Sequence, residues 1–300
     1  MMMKLLENCN LCPRKCGVNR LKGELGFCKA DEKVKLARAA LHHWEEPCIS
    51  GSDGSGTVFF SNCNLKCVFC QNSDISQCSL GKEVSIERLS DIFLELQDKN
   101  ALNINLVTPT HYVPQIIEAI KLAKANGLTL PILYNSSGYE NVETIKLLNG
   151  YIDVYLPDLK YFNSKYSSKY SNAPDYFQYA SESIKEMLDQ VGDAVFDENG
   201  IIKKGVIIRH MMLPGLLFDS KKIIDYIYNN FGHRVYISIM NQYTPNFKSS
   251  KYPEINKPLL PAHYDALIDY ALELGVKNGF IQEEGTASKV FIPDFNLEGV

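Results

Sequence analysis

Between residues 86 and 123 the apolar positions fall into two helical stripes. Ile86, Leu89, Ile92, Phe93 and Leu96 recur at three- and four-residue spacing, and so do Val113, Ile116, Ile117, Ile120 and Ala123, the second stripe closing before Gly127. Each predicts an amphipathic helix with one buried face. Around them stand short β-type runs at 57–61, 103–107, 131–134, 152–156, 205–208 and 235–239. Such short, largely apolar runs suit strands covered on both faces. Further helical signals at 142–148 and 221–231 separate the later runs. Six strands, each followed by a helix or long loop, predict parallel β/α units with right-handed crossovers. The expected fold is α/β, an incomplete (β/α)6 TIM-like barrel.

The rest of the chain is less periodic. A Tyr- and Ser-rich excursion runs from Tyr161 to Tyr179, and a polar loop from Asn246 to Lys257. A helix is predicted over Tyr264–Leu274, with Gly275 as its stop signal. Phe280-Ile281-Gln282 reads as a last strand, and the apolar tail Val290–Phe295 is expected to dock on the body. The pattern divides the chain into an N-terminal cysteine-rich segment (1–50), the partial barrel (51–245) and a C-terminal loop, helix and docking tail (246–300).

Composition narrows the function classes. The 300 residues are 45% hydrophobic, enough for a large core. A net charge of −4 from 31 basic and 35 acidic side chains, mixed along the chain, offers no basic face for nucleic acid and no polybasic membrane patch. The apolar run at Met1–Asn8 is too short for a signal peptide, and no stretch approaches the roughly 20 apolar residues of a spanning helix. A cytoplasmic location is expected. Nine cysteines without a secretory signal then point to metal chemistry, because disulfides do not persist in a reducing compartment.

Three of those cysteines, Cys63, Cys67 and Cys70, lie within Cys-Asn-Leu-Lys-Cys-Val-Phe-Cys, directly after the first β run. The carboxyl end of a strand is where α/β folds place their chemistry. Thiolates are the usual ligands of a [4Fe–4S] cube, and three of them leave one iron open to a substrate or cofactor. A zinc knuckle or three unrelated buried cysteines is the plainer alternative, but a structural zinc wants a fourth ligand and buried cysteines need no clustering.

A second set, Cys9, Cys12, Cys16 and Cys28, forms a complete group of four, with glycines at 17, 23 and 26 that permit tight turns around a metal. Spacing leaves zinc and iron–sulfur both open there. His42 and His43, ahead of Trp44, read as an ordinary packed or surface segment. The Gly/Ser-rich stretch Pro47–Gly56 lacks the Lys-Ser/Thr of a phosphate loop and reads as a turn; Cys48 within it carries no assignable chemistry.

The strand ends would surround the three-cysteine motif with polar side chains: Asn105, Thr108 and His111; Asn135 and Ser137; Asp158 and Lys160; Arg209 and His210; Asn241 and Gln242. Asn and Ser suit hydroxyl and amino groups, and Arg209 or Lys160 suits a carboxylate or an anionic substrate. Asp158 and Lys160, two apart, could also pair with each other. His210 reads as a satisfied local donor.

Cys-x3-Cys-x2-Cys with Phe69 before its last cysteine resembles the signature of the radical S-adenosylmethionine enzymes. The resemblance extends through Cys12-Pro-Arg-Lys-Cys-Gly-Val-Asn-Arg20, Asn103–His111, Tyr155–Lys160, Arg209–Gly215 and Asn241–Pro245 to an uncharacterised group related to pyruvate formate-lyase activating enzyme. It implies a barrel of that family's type. It also implies a [4Fe–4S] cluster on Cys63, Cys67 and Cys70 that cleaves S-adenosylmethionine to a 5′-deoxyadenosyl radical for hydrogen abstraction. Phe69, Asn105, Thr108, Asn135, Ser137, Asp158, Lys160 and Arg209 become the candidate cofactor contacts, with Asp158-Leu159-Lys160 matching an Asp-x-Lys element and Arg209 an arginine on the next strand. The implied partners are S-adenosylmethionine, a one-electron reductant such as a flavodoxin or ferredoxin, and a glycyl-radical enzyme or other protein substrate. The chain departs from the pattern where most of the family carry Gly-Gly-Glu, since Val107-Thr-Pro-Thr-His111 stands there. A small molecule or ordinary peptide as substrate, and a non-catalytic zinc- or iron-binding scaffold, are the competing readings.

Overall fold

The computed structural model describes residues 2–282 and 293–300. After the cysteine-bearing segment, β1 (Val34–His42) leads through the single turn α1 (Pro47–Ser50) to β2 (Ser55–Phe60), then α2 (Ser73–Ser76) and the edge strand β3 (Lys82–Val84). Helix and strand then alternate as α3 (Ile86–Asp98), β4 (Ile104–Val107), α4 (Val113–Ala125), β5 (Ile132–Ser136), α5 (Val142–Leu147) and β6 (Val154–Pro157). The chain continues with α6 (Ser164–Ser171), α7 (Tyr176–Val191), the short β7 (Val195–Phe196), β8 (Ile202–Met211), α8 (Leu217–Phe231), β9 (Tyr236–Met240), α9 (Pro261–Leu274) and β10 (Gly279–Ile281).

The strands lie in the order β10-β9-β8-β6-β5-β4-β2-β1-β3, with β7 on the flank of β8. Every neighbouring pair from β2 to β10 is parallel, and β1 is antiparallel to both β2 and β3. All six predicted runs and the expected last strand are therefore parallel members of one sheet. Among the described residues its two ends do not pair, so the barrel is incomplete. β4 and β6 are buried along their whole length, which is why they read as unbroken apolar runs. The buried apolar positions of α3 are Leu89, Ile92, Phe93 and Leu96, and the helix is started by Ser85, whose hydroxyl accepts from the Arg88 amide at 3.1 Å. Each such side chain contributes about 1.5–3 kcal/mol on burial.

Three elements depart from the expectation. β1 was not foreseen, because Val-Lys-Leu-Ala-Arg-Ala-Ala-Leu-His is rich in alanine, which strands disfavour. It nevertheless pairs with β2 from Leu36↔Phe60 to His42↔Ser55, so residues 1–50 give the sheet a strand as well as carrying cysteines. The excursion over Tyr161–Tyr179, for which no element is predicted, contains α6 and the start of the 16-residue α7. β8 runs from 202 to 211, longer than its apolar core.

Between β1 and β2 the chain crosses the base of the barrel. Cys48 and Ile49 of α1 pack with Leu133, Val154, Leu156, Ile202 and Ile207, and the Asn103 amide donates to the Ile49 carbonyl at 2.8 Å. At the outer edge, residues 293–300 run along β1: the Ala39 amide donates to the Glu298 carbonyl at 2.8 Å and the Leu297 amide to that of Ala37 at 3.1 Å. Arg38 pairs with Glu298, and the Phe295 ring meets Phe59 edge-on. Of the expected apolar tail, residues 290–292 lie outside the described residues. No described helix is long and apolar enough to cross a membrane.

Candidate active site

The loop after β2 carries the three-cysteine motif and is pinned from several sides. Asn62, at φ 76°, turns the chain out of the strand. The buried Asn64 side chain donates to the Tyr139 carbonyl at 2.6 Å. The Val68 amide donates to the Tyr170 carbonyl at 2.9 Å, and the Val68 carbonyl accepts from the Lys248 amide at 2.8 Å. Gln77 holds the Cys67 carbonyl, and the Phe69 ring packs edge-on against Tyr243.

Cys63, Cys67 and Cys70 thus line one cavity of about 260 Å³ inside the barrel mouth. Polar groups reach each sulfur: the Leu65 amide donates to Cys63 Sγ at 3.4 Å, the Ser171 hydroxyl donates to Cys67 Sγ at 3.0 Å, and the Ser76 hydroxyl shares a hydrogen bond with Cys70 Sγ at 3.2 Å. Burial pushes the Cys63 thiol up to about 12 and the Cys70 thiol to about 11. Cys67 is also raised by burial, against the pull of the nearby Lys160 ammonium. Charge on these sulfurs therefore calls for a cation among them. No group of three or more His, Cys, Asp or Glu among the described residues is arranged to hold a single metal ion. A cube is held at separate irons, so its thiolates stand around a shared space and need not converge on one point. The donor set fits the cube.

Beyond the strands, backbone bonds extend the ladders one step further. The Thr108 amide donates to Asn135 O at 2.8 Å, Asp158 to Ser136 O at 3.0 Å, and Leu159 to Arg209 O at 2.8 Å. This row brings Thr108, Asn135, Ser137, Asp158, Lys160 and Arg209, with Phe69, to the cavity. Gly138 makes the row possible: at φ 75° its missing Cβ would lie 2.1 Å from the Asp158 carbonyl. Lys160 pairs with Asp158, the alternative its spacing allowed.

Two candidates are occupied otherwise. Arg209 is not a free cation: its Nε donates to Glu46 at 2.9 Å, and Nη2 is bonded to both Glu46 and Glu45. Burial opposes the charge on Glu46, yet the guanidinium holds its carboxyl below the usual range. Asn105 does not line the cavity; it is fully buried and donates to Glu45 at 3.0 Å. Sequence reasoning missed Glu45 and Glu46, which enter from the segment crossing the barrel base. The signal available was an adjacent acid pair ahead of Pro47, opposite an arginine with no stated partner.

Two strand-end histidines also face away from the cavity. His210 bonds the Leu159 carbonyl and the Ser220 hydroxyl, as a satisfied local group does. His111 turns to the N-terminal segment, where Cys9, Cys12, Cys16 and Cys28 line a second, enclosed pocket. That segment docks on the barrel through Thr144 and Asn141, which donate to the Leu11 and Asn10 carbonyls at 2.7 and 2.8 Å.

Comparison with known proteins adds to this geometry. The profile of the radical SAM superfamily matches residues 57–227. An uncharacterised protein of Methanocaldococcus jannaschii is 34% identical over 284 residues, 91% of this chain and 75% of that protein. The pyruvate formate-lyase-activating enzyme of Clostridium pasteurianum is 29% identical over 184 residues, 57% of this chain and 68% of that enzyme. Among solved structures, Streptococcus suis SuiB bound to S-adenosylmethionine superposes with a TM-score of 0.50 at 17% identity, covering 75% of this chain and 49% of SuiB. The FeFe-hydrogenase maturase HydG from Carboxydothermus hydrogenoformans gives 0.52 at 14%, covering 79% and 56%. The chain spans about half the length of these solved structures, and at such identities the likeness is one of fold.

Proposed function

Because the chain belongs to the radical SAM superfamily, we propose that it is an enzyme that binds S-adenosylmethionine in the barrel mouth and abstracts hydrogen from a protein or peptide substrate. The observation that carries this reading is the convergence of Cys63, Cys67 and Cys70 with a row of polar strand ends on one cavity. Cys63, Cys67 and Cys70 would hold a [4Fe–4S] cluster, which when bound would supply the one-electron chemistry that reductively cleaves S-adenosylmethionine. Around it the chain's own groups have separable tasks. The amide of Leu65 and the hydroxyls of Ser171 and Ser76 stabilise negative charge on the three sulfurs. Thr108, Asn135 and Ser137 offer donors and acceptors for hydroxyl and amino groups. The Asp158–Lys160 pair presents one charge of each sign to a zwitterionic cofactor. Arg209 at the cavity wall and Asn105 beneath it fix Glu45 at the floor.

Similarity to an activating enzyme supports a protein substrate; a glycyl-radical enzyme is the first candidate, and a flavodoxin or ferredoxin the reductant, in the cytoplasm. The four N-terminal cysteines hold a second metal group in this reading. The test is anaerobic reconstitution and reduction, followed by assay of 5′-deoxyadenosine and methionine. The wild type should form both and Cys67→Ala neither. No cleavage by wild type with a verified full cluster overturns the reading. Zinc at both cysteine sets with no cofactor binding would establish the scaffold alternative. An electron paramagnetic resonance doublet on mixing with a glycyl-radical enzyme, or its absence with every candidate, decides the substrate.

A further inference from the structure

The two cysteine sets lie back to back across one short piece of chain. Arg14, between Cys12 and Cys16, stacks its guanidinium 3.8 Å over the Phe27 ring and donates Nε to the Asn64 carbonyl at 2.9 Å. Lys66 approaches the same ring from the motif side, its Nζ 5.3 Å from the centroid. Asn64 and Lys66 meet the N-terminal segment through Arg14 and Phe27, and Leu65 between them lines the first cavity, so residues 64–66 form a wall between that segment and the cavity.

The N-terminal pocket has the marks of a site. Its other lining is apolar at Leu11, Val18 and Ala30, with the buried Arg20 beside them, whose Nη1 lies 4.0 Å from Cys9 Sγ. His111, 2% exposed, also lines it. The His111 Nε2 lies 2.8 Å from the Ser61 carbonyl, which can only accept, so the ring proton sits on Nε2. Nδ1 is left with a bare lone pair, and it is buried without a partner. Four thiols and a lone pair around an enclosed space leave an electron-poor group as the fitting occupant. Among the described residues no three of these cysteines converge to hold a single ion, whereas a cube is ligated at four separate irons. Cys16 is exposed while Cys12 and Cys28 are buried, so the set has an outer and an inner edge.

We propose that Cys9, Cys12, Cys16 and Cys28 hold a second [4Fe–4S] cluster that accepts an electron at its exposed Cys16 edge and passes it across Phe27 and the 64–66 wall toward Cys63. A reduced flavin or iron–sulfur protein gives up one electron. The second cluster's core goes from 2+ to 1+ and returns to 2+ as the electron leaves; no bond breaks and no proton moves. The electron's destination rests on the function proposed above, but the existence of the second cluster does not.

Iron, acid-labile sulfide and zinc are counted per chain after anaerobic reconstitution. The wild type should hold about eight irons and the Cys63→Ala/Cys67→Ala/Cys70→Ala variant about four, with a paramagnetic signal on reduction. Zinc in place of iron in that triple variant, or no metal, overturns the proposal whether or not the wild type cleaves S-adenosylmethionine. The Cys9→Ala/Cys12→Ala variant, retaining the first cluster, should bleach normally with dithionite but at least tenfold more slowly with photoreduced flavodoxin. Cys16→Ser, which alters only the exposed ligand, serves where the double variant does not fold. Equal bleaching rates with both reductants in variants lacking the second cluster overturn the relay.

Discussion

Replacing Arg209 by methionine distinguishes a brace in the cavity wall from a cofactor ligand. The guanidinium is about 10% exposed and is shared between Glu46, 7% exposed, and Glu45, 11% exposed. Removing it strands two carboxylates in a low-dielectric floor, and breaking such a pair costs about 3–5 kcal/mol. For a chain of this size that is a fall in Tm of about 5–8 °C. The loss depends on pH. With Arg209 present, the Glu46 carboxyl sits below its ordinary 4.5, so the pairing contributes above that pH and fades as pH falls below it. With Arg209 gone, burial outweighs the remaining Ser238 and backbone hydrogen bonds and raises the carboxyl, so the variant is worst off in alkaline buffer and recovers toward pH 5. Arg209→Met/Glu46→Gln should restore at least half of the loss, since the uncompensated charge is gone. Thermal unfolding followed by circular dichroism at pH 5 and pH 8 measures all of this. Equilibrium binding of S-adenosylmethionine to the reconstituted double variant should weaken less than about fivefold. A loss under about 1 kcal/mol in the single variant, or a double variant no better than the single, would refute the brace.

Three further outcomes follow from buried groups and close approaches. Burial raises the Glu140 carboxyl to about 7 from 4.5, although the Thr110 and Tyr134 hydroxyls donate to it. Its contribution is full below pH 4.5 and lost as pH rises through 7. Glu140→Gln should remove a stability decline of about 3 kcal/mol across that window, measured by denaturant titration at each pH. Gly138→Ala meets the Asp158 carbonyl and should cost more than about 2 kcal/mol, whereas Gly127→Ala, at φ 101° with open space around it, should cost only the left-handed strain of about 1 kcal/mol. Deleting residues 293–300 removes two backbone bonds and the Arg38–Glu298 pair, for about 2–3 kcal/mol, and hydrogen exchange at the Ala39 amide should accelerate.

What the sequence discloses follows from range. Runs such as Ile104–Val107 and the stripe of α3 are periodic over a few residues, so their element type is written locally. The three thiols of Cys63–Cys70 and the strand-end polar groups are likewise close to the apolar runs that place them. β1 is not legible because its alanines are chosen by what packs beside them and not by strand preference. Glu46 and Arg209 are 163 positions apart, and no spacing rule joins an acid pair in one loop to an arginine on β8. His111 looked like a barrel-mouth ligand because strand ends point there, but the short helical turn over Thr110–Tyr112 swings it toward the cysteines of the first segment.

The outer edge of β1 is covered by β3 along Val34–Leu36 and by residues 297 and 298 beyond it. Arg38 and Glu298 are 260 positions apart, which at roughly 5–20 residues per second is on the order of 13–50 s of ribosomal synthesis. For that interval a row of strand amides and carbonyls stands bare on the nascent chain, beside a pocket whose rim still lacks Pro293. Translation speed and chaperone supply, more than the equilibrium stability of the finished barrel, then govern how much of the chain escapes edge-to-edge aggregation.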